Sequence, residues 1–116
     1  MSARVRPDRR LVLEAPQDVP DGAGGVVRGW LVLGELWAQV RARSAGQGGG
    51  SGGGDAAPVT RVRWEITLRA VPPGAPSRPQ PGQRFRAGAR LFHIRAVVED
   101  GADWLICHAV QEEVVA

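Results

Sequence analysis

A strict alternation of apolar and polar residues between positions 59 and 71 constrains this chain more than any other feature. The apolar series consists of Val62, Trp64, Ile66, Leu68 and Ala70. The positions between them hold Arg61, Arg63, Glu65, Thr67 and Arg69. A period of two places successive side chains on opposite faces of a β-strand, whereas a helix would mix the two series. The pattern therefore predicts a half-buried strand, with Trp64 on the face that belongs to the core.

Weaker versions of this pattern recur along the chain. Residues 11–14, 83–86, 90–99 and 104–111 are short, rich in apolar residues and bounded by turn formers, which is typical of strands. Residues 30–43 alternate from Glu35 onward and also favour a strand, although their composition leaves a helix as the alternative. Prolines and glycines in residues 15–29 predict a loop there. Asp100 and Gly101 predict the turn of a hairpin.

Two segments of biased composition interrupt the strands. Residues 44–58 form a flexible loop in this interpretation, because seven glycines fall between positions 46 and 54. Residues 72–82 carry five prolines and predict an extended loop without a hydrogen-bond ladder. Neither side of the glycine tract is long enough to fold alone, so residues 1–116 are interpreted as one domain. The fold class predicted is all-β: a small β-barrel or β-sandwich of five or six antiparallel strands with long loops.

The inventory of reactive side chains argues against an enzyme. The chain has no lysine, one cysteine and two histidines, which excludes a lysine nucleophile, a phosphate-binding loop lysine and an intrachain disulfide. Cys107 and His108 would point to opposite faces of one strand. A pair of His93 and Cys107 across the hairpin is the remaining arrangement, and it lacks an orienting group. We therefore predict no catalytic, metal or cofactor site, and the absence of a signal-like or membrane-spanning segment predicts synthesis in the cytoplasm.

Arginine supplies all 15 basic residues, and the net charge is only +3. Arginines on strand faces, together with a tryptophan on a polar face, are typical of interfaces. The candidate interface or channel residues are Trp37, Arg41, Arg43, Arg61, Arg63, Arg69, Arg84, Arg86 and Arg90. A solvated face or a protein interface is favoured over contact with DNA phosphates, which arginine stripes can also make.

Several ordered motifs resemble a known family. A strand is followed by the glycine-rich residues 18–25 and by Gly29-Trp30. Further motifs are Leu36-Trp37-Ala38-Gln39-Val40, the Trp64-Glu65-Ile66-Thr67-Leu68-Arg69 strand, residues 82–97 and the terminal strand of residues 103–109. Their order and spacing over residues 11–111 resemble the phage head–tail joining family, also called head closure or stopper proteins.

This resemblance implies a structural virion protein at the neck of a tailed phage or of a gene transfer agent. Members form a ring of identical copies, here with a hexamer favoured over a dodecamer. The implied partners are the portal and adaptor proteins above the ring and the tail terminator and tail tube proteins below it. Packaged DNA passes nearby without sequence-specific contacts and is retained by the ring, and no membrane is involved. The alternative is a small β-barrel module that binds nucleic acid through its arginine-rich strand faces.

Overall fold

The computed structural model describes residues 4–47 and 60–111. Within these residues the chain forms six β-strands: β1 (Arg9–Pro20), β2 (Val26–Gln47), β3 (Thr60–Arg69), β4 (Arg84–Ala87), β5 (Arg90–Asp100) and β6 (Trp104–Gln111). The predicted all-β class is confirmed. Residues 30–43 lie in β2, so the strand interpretation of this segment is also confirmed.

The strands are hydrogen-bonded in a closed ring in the order β1-β2-β3-β6-β5-β4, and each neighbouring pair is antiparallel. The ring closes where β1 pairs with β4, with Val12 opposite Arg86 and Glu14 opposite Arg84. Of the two predicted architectures, the closed ring corresponds to the barrel. β2 is long because its first half pairs with β1 and its second half pairs with β3.

The core lies inside this ring and comes from the inward positions of all six strands. Its buried residues are Leu11, Leu13, Ala38, Ile66, Leu68, Phe85, Phe92, Ile94, Leu105, Cys107 and Ala109. Trp64 lies on the inward face, as predicted, and packs edge-on against Phe92 with 5.5 Å between ring centroids. Its indole Nε1 is buried and has no hydrogen-bond partner within the described residues.

The loop predicted for residues 15–29 is wrong. β1 continues to Pro20 and β2 begins at Val26, so residues 15–32 form a two-stranded hairpin. We call residues 15–32 the arm. At its tip, the Asp21 carboxylate accepts hydrogen bonds from the backbone N–H groups of Ala23, at 2.8 Å, and Gly25, at 2.9 Å. Both bonds lower the pKa of Asp21, the bond from Ala23 having the larger effect, and they stabilise the tight turn.

The two biased segments have different outcomes. Residues 44–47 belong to β2, so the predicted glycine-rich loop begins too early; the remainder of it, residues 48–58, lies outside the described residues. Residues 72–82 contain no strand, as predicted. Within that segment Pro79 is buried, and the Arg78 guanidinium donates a hydrogen bond to the Val71 carbonyl at 2.7 Å.

Irregularities in register change which side chains face outward. One bulge in β2 makes Arg43 the extra residue between Ala42 and Ser44. Another in β5 makes Arg95 the extra residue between Ile94 and Ala96. Simple alternation through residues 92–98 predicted that Ala96 and Val98 continue the face of Ile94. Because the bulge shifts the period, Val97 packs against the core and Val98 is exposed.

Candidate interaction surfaces

The arm is the most exposed part of the described chain. Among the described residues its β1 half pairs only with its β2 half, since the pairing of β1 with β4 ends at Glu14. Apolar side chains remain uncovered along it: Val19, Val26, Val27, Leu31 and Val32 are between 43% and 66% exposed. Isolated two-stranded ribbons have little stability of their own. An apolar ribbon of this kind is typical of a surface that is covered by a partner.

A cluster of paired side chains joins the arm to the barrel. Glu14 is buried and accepts hydrogen bonds from the Nε atoms of Arg84, at 2.7 Å, and Arg86, at 3.0 Å. The Arg84 guanidinium also lies 3.9 Å from the ring centroid of Trp30, and Trp30 makes an edge contact with His93 at 6.2 Å. We call these five residues the arm-root cluster.

Electrostatics within the arm-root cluster favour the ionised carboxylate. Burial raises the pKa of Glu14, but the hydrogen bonds and positive charges of Arg84 and Arg86 outweigh it and hold the pKa below its ordinary value. Two of the predicted interface arginines are therefore placed in an ion pair with Glu14. The Arg84 side chain is only 16% exposed, which leaves little of it for a partner. The sequence offered no signal for Glu14, whose partners lie about 70 residues away along the chain.

A third surface lies on the outer face of β2, β3, β6 and β5. Arg63 points outward there, and the two bulged arginines, Arg43 and Arg95, lie on the same face. Arg43 pairs with Glu65 through its Nε, 2.5 Å from Oε2. Where the start of β3 meets the end of β6, a groove reaches from outward-facing side chains to two residues of the inward face. It is lined by Arg43, Arg63, Trp64, Arg95, His108, Ala109 and Val110. We call it the cationic groove; Arg95 and His108 were not among the predicted candidates.

The other predicted residues are dispersed. Arg41 is exposed opposite Glu65, and Arg90 is exposed at the start of β5. Arg69 lies over the ring of Trp104, with 5.1 Å from guanidinium carbon to centroid. Arg61 takes part in the β2–β3 ladder opposite Gly46, and its side chain lies outside the described part of the structure. The structure thus gathers Arg43 and Arg63 in one groove and distributes the rest elsewhere.

Trp37 is 57% exposed, as its place on a polar face predicted. It borders an apolar groove between β2 and the segment that follows β3, lined by Pro7, Leu13, Leu33, Gly34, Glu35, Leu36, Trp37, Leu68, Arg69, Val71 and Ser77. Among residues 4–47 and 60–111, the edge of β2 between Val26 and Trp37 has no strand partner on the β3 side, because that pairing begins at Ala38. An unpaired edge with apolar side chains is a template for contact with another chain.

The reactive side chains form no catalytic arrangement within the described residues. Cys107 is fully buried, and burial raises the pKa of its thiol to about 12. His93 lies opposite Val110 and His108 lies opposite Ala96, so neither is the cross-strand partner of Cys107. A thiol that stays protonated at neutral pH is a poor nucleophile.

Residues 4–47 and 60–111 contain no group of three or more histidine, cysteine, aspartate or glutamate residues that could hold a metal ion. These residues also contain no helix of the length and apolar character needed to cross a membrane.

A family model described as "Phage head completion protein" matches residues 3–113. A solved chain from the "Virion of native gene transfer agent (GTA) particle" is similar at 40% sequence identity and a TM-score of 0.76, and the match covers 98% of this chain and 100% of that chain. No curated protein matches the chain significantly.

Proposed function

Because the chain belongs to the phage head completion protein family, we propose that it is a structural component of the head–tail junction in a tailed phage-like particle. The predicted resemblance and the non-enzymatic class agree with this family. The similar chain comes from a gene transfer agent virion, which supports a place for this protein in a particle of that kind.

We further propose that several copies assemble into a ring, with six favoured. The observation that carries this proposal is the arm, which pairs with no other strand of the described residues and exposes a row of valine and leucine side chains. In a ring, each copy presents one surface to one neighbour and a different surface to the other. The arm and the apolar groove beside Trp37 are two unlike surfaces of one chain and suit such a contact.

The same ring would contact the portal and adaptor proteins on one side and tail terminator and tail tube proteins on the other, and retain the packaged DNA. Loops and projecting hairpins are suited to these contacts because they lie outside the barrel and can change without loss of the core. The alternative function, a free-standing nucleic-acid-binding module, has less support, because the family to which the chain belongs is a structural one.

The proposed ring contact is tested with a double substitution on the arm, Val27→Ser with Leu31→Ser. We expect the wild-type chain to form a discrete oligomer at high concentration in native mass spectrometry, and the double variant to remain monomeric. Val98→Ser is the matched control, because Val98 is 48% exposed on the barrel and away from the arm. An arm variant that still enters particles and oligomerises as wild type would contradict the contact.

Deletion of the gene from the producing strain tests whether this protein works at the head–tail junction. We expect the deletion strain to produce heads and tails that remain separate. We expect complementation with the wild-type chain to restore joined particles. Normal joined particles in the deletion strain would overturn the proposed junction role.

A further inference from the structure

The cationic groove is a charged surface that neither the arm nor the core explains. Arg43, Arg63 and Arg95 line it together with His108, and all four residues are exposed. Within the described residues, Arg63 and Arg95 have no carboxylate within ion-pair distance, and Arg43 pairs with Glu65. Among the described residues, three arginines and one paired glutamate give this groove an excess of positive charge.

Both β-bulges of this face supply an arginine to the groove. Arg43 is the extra residue in the β2–β3 ladder, and Arg95 is the extra residue in the β5–β6 ladder. A bulge leaves its extra residue without a ladder partner, bends the strand and increases its twist. Two bulges on opposite sides of β3 and β6 therefore curve the outer face and place one arginine on each side of Arg63 and His108.

We propose that this groove binds the phosphate backbone of double-stranded DNA. The planar guanidinium donates paired hydrogen bonds that match phosphate oxygens, and it remains charged at all physiological pH values. The described residues that line the groove belong to strands of the barrel, and none of them belongs to a helix or to the arm that could enter a DNA groove and read base edges. Contacts to phosphates alone hold DNA without sequence preference.

The choice of DNA among polyanions rests on the proposed function, since packaged DNA passes the head–tail junction. Contact through three arginines is weak and strongly dependent on salt. With about three phosphates neutralised, the logarithm of the association constant falls with the logarithm of the salt concentration at a slope of about −2.7. Such binding guides DNA through a ring without stopping its movement.

The test measures binding of the purified chain to a short fluorescent DNA duplex by anisotropy, between about 50 and 200 mM salt. The groove variant replaces Arg43, Arg63 and Arg95 with glutamine. The matched control replaces Arg6, Arg9 and Arg90 with glutamine, which removes the same charge from exposed positions outside the groove. We expect at least about a tenfold loss of affinity and a slope near zero for the groove variant. The control should stay within about twofold of wild type.

Equal losses in the two triple variants would overturn the proposal, because they would show attraction by overall charge rather than by this groove. Absence of duplex binding by the wild-type chain at the lowest salt would overturn it as well. Arg95→Glu provides a second variant in case the triple substitution impairs folding, and it should weaken binding several-fold with an unchanged melting curve.

Particle assembly separates this inference from the proposed function. If the groove variant binds DNA like wild type and particles assemble normally, the DNA-binding proposal is wrong and the junction role is unaffected. If the wild-type chain binds DNA through the groove but is never found in particles, the proposed junction role is wrong and the DNA-binding proposal is unaffected.

Discussion

The arm continues two strands of the barrel, β1 and β2, yet the two regions have opposite surroundings. Within the barrel, Leu11 and Leu13 of β1 are almost completely buried. A few residues further along the same strand, Val19 is 43% exposed, and Leu31 of β2 is 48% exposed. The strand pattern is alike in both parts, and only the presence of neighbouring strands differs. The surfaces available for assembly therefore begin where a strand extends past its partners in the barrel.

The largest difference between the two regions is expected in stability. Phe85 is fully buried in the barrel, and Phe85→Ala should lower the free energy of unfolding by about 3–5 kcal/mol. Leu31→Ala on the arm should lower it by less than about 1 kcal/mol in the monomer. Urea denaturation of both variants measures the contrast. Equal losses would mean that the arm is packed against the barrel in the free chain.

The arm-root cluster couples the two regions, and its removal should have the next largest effect. Glu14→Gln leaves Arg84 and Arg86 without their carboxylate and should cost about 2–3 kcal/mol, because partly buried charges lose their partner. Glu35→Gln is the control, since Glu35 pairs with Arg10 on the surface and should change stability by less than about 1 kcal/mol. Thermal and urea unfolding compare the two variants.

Glu14 also predicts a dependence of stability on pH. Its pKa in the folded chain is lowered from the ordinary value of 4.5. The ion pair therefore contributes fully above about pH 4.5, and the contribution is lost as the pH falls through the lower pKa of the folded state. The difference in unfolding free energy between wild type and Glu14→Gln should shrink over this acidic range. A difference that stays constant down to low pH would contradict the ion pair.

Hydrogen exchange measures the difference in local stability between the arm and the barrel without any substitution. Amides of the arm should exchange at least about tenfold faster than those of β6 in the free chain, because the arm opens without unfolding of the barrel. Assembly should slow exchange in the arm and leave β6 unchanged. Protection of the arm equal to that of β6 before assembly would show that the two regions unfold together.

The smallest effect is expected at Cys107. With a thiol pKa of about 12, the folded chain should not react with a thiol reagent at pH 8, and it should react fully in denaturant. Cys107→Ala should lower stability by about 1 kcal/mol and leave assembly unchanged. Rapid modification of the native chain would show that the barrel opens at β6.

Alternation of side chains was enough to predict the barrel strands, because burial on one face imposes a period of two. The same reasoning missed the arm, since Pro16 and Pro20 indicated a loop. Both prolines lie on β1 beyond its pairing with β4, where an unpaired strand edge tolerates a missing N–H donor. The valines at 19, 26 and 27 were the signal that could have indicated a hairpin.

The candidate surfaces were harder to predict than the strands. Arginines were identified by type, but their partners depend on register. The pairing of Arg84 with Glu14 depends on the closure of the ring, and the places of Arg43 and Arg95 depend on bulges that a simple period does not include. One exposed residue, Trp37, could be predicted because its neighbours on the same face are polar.

The seam between β1 and β4 has a consequence for the way in which the chain folds. Closure of the barrel requires Val12 of β1 to pair with Arg86 of β4. Because β4 pairs with β5 and β5 pairs with β6, the barrel cannot close until the segment up to β6 has left the ribosome. Contacts between distant parts of a chain slow the search for the native state, and β-barrels fold in milliseconds to seconds rather than microseconds. A ribosome-bound fragment that lacks β6 would therefore expose both its core residues and its arm to aggregation.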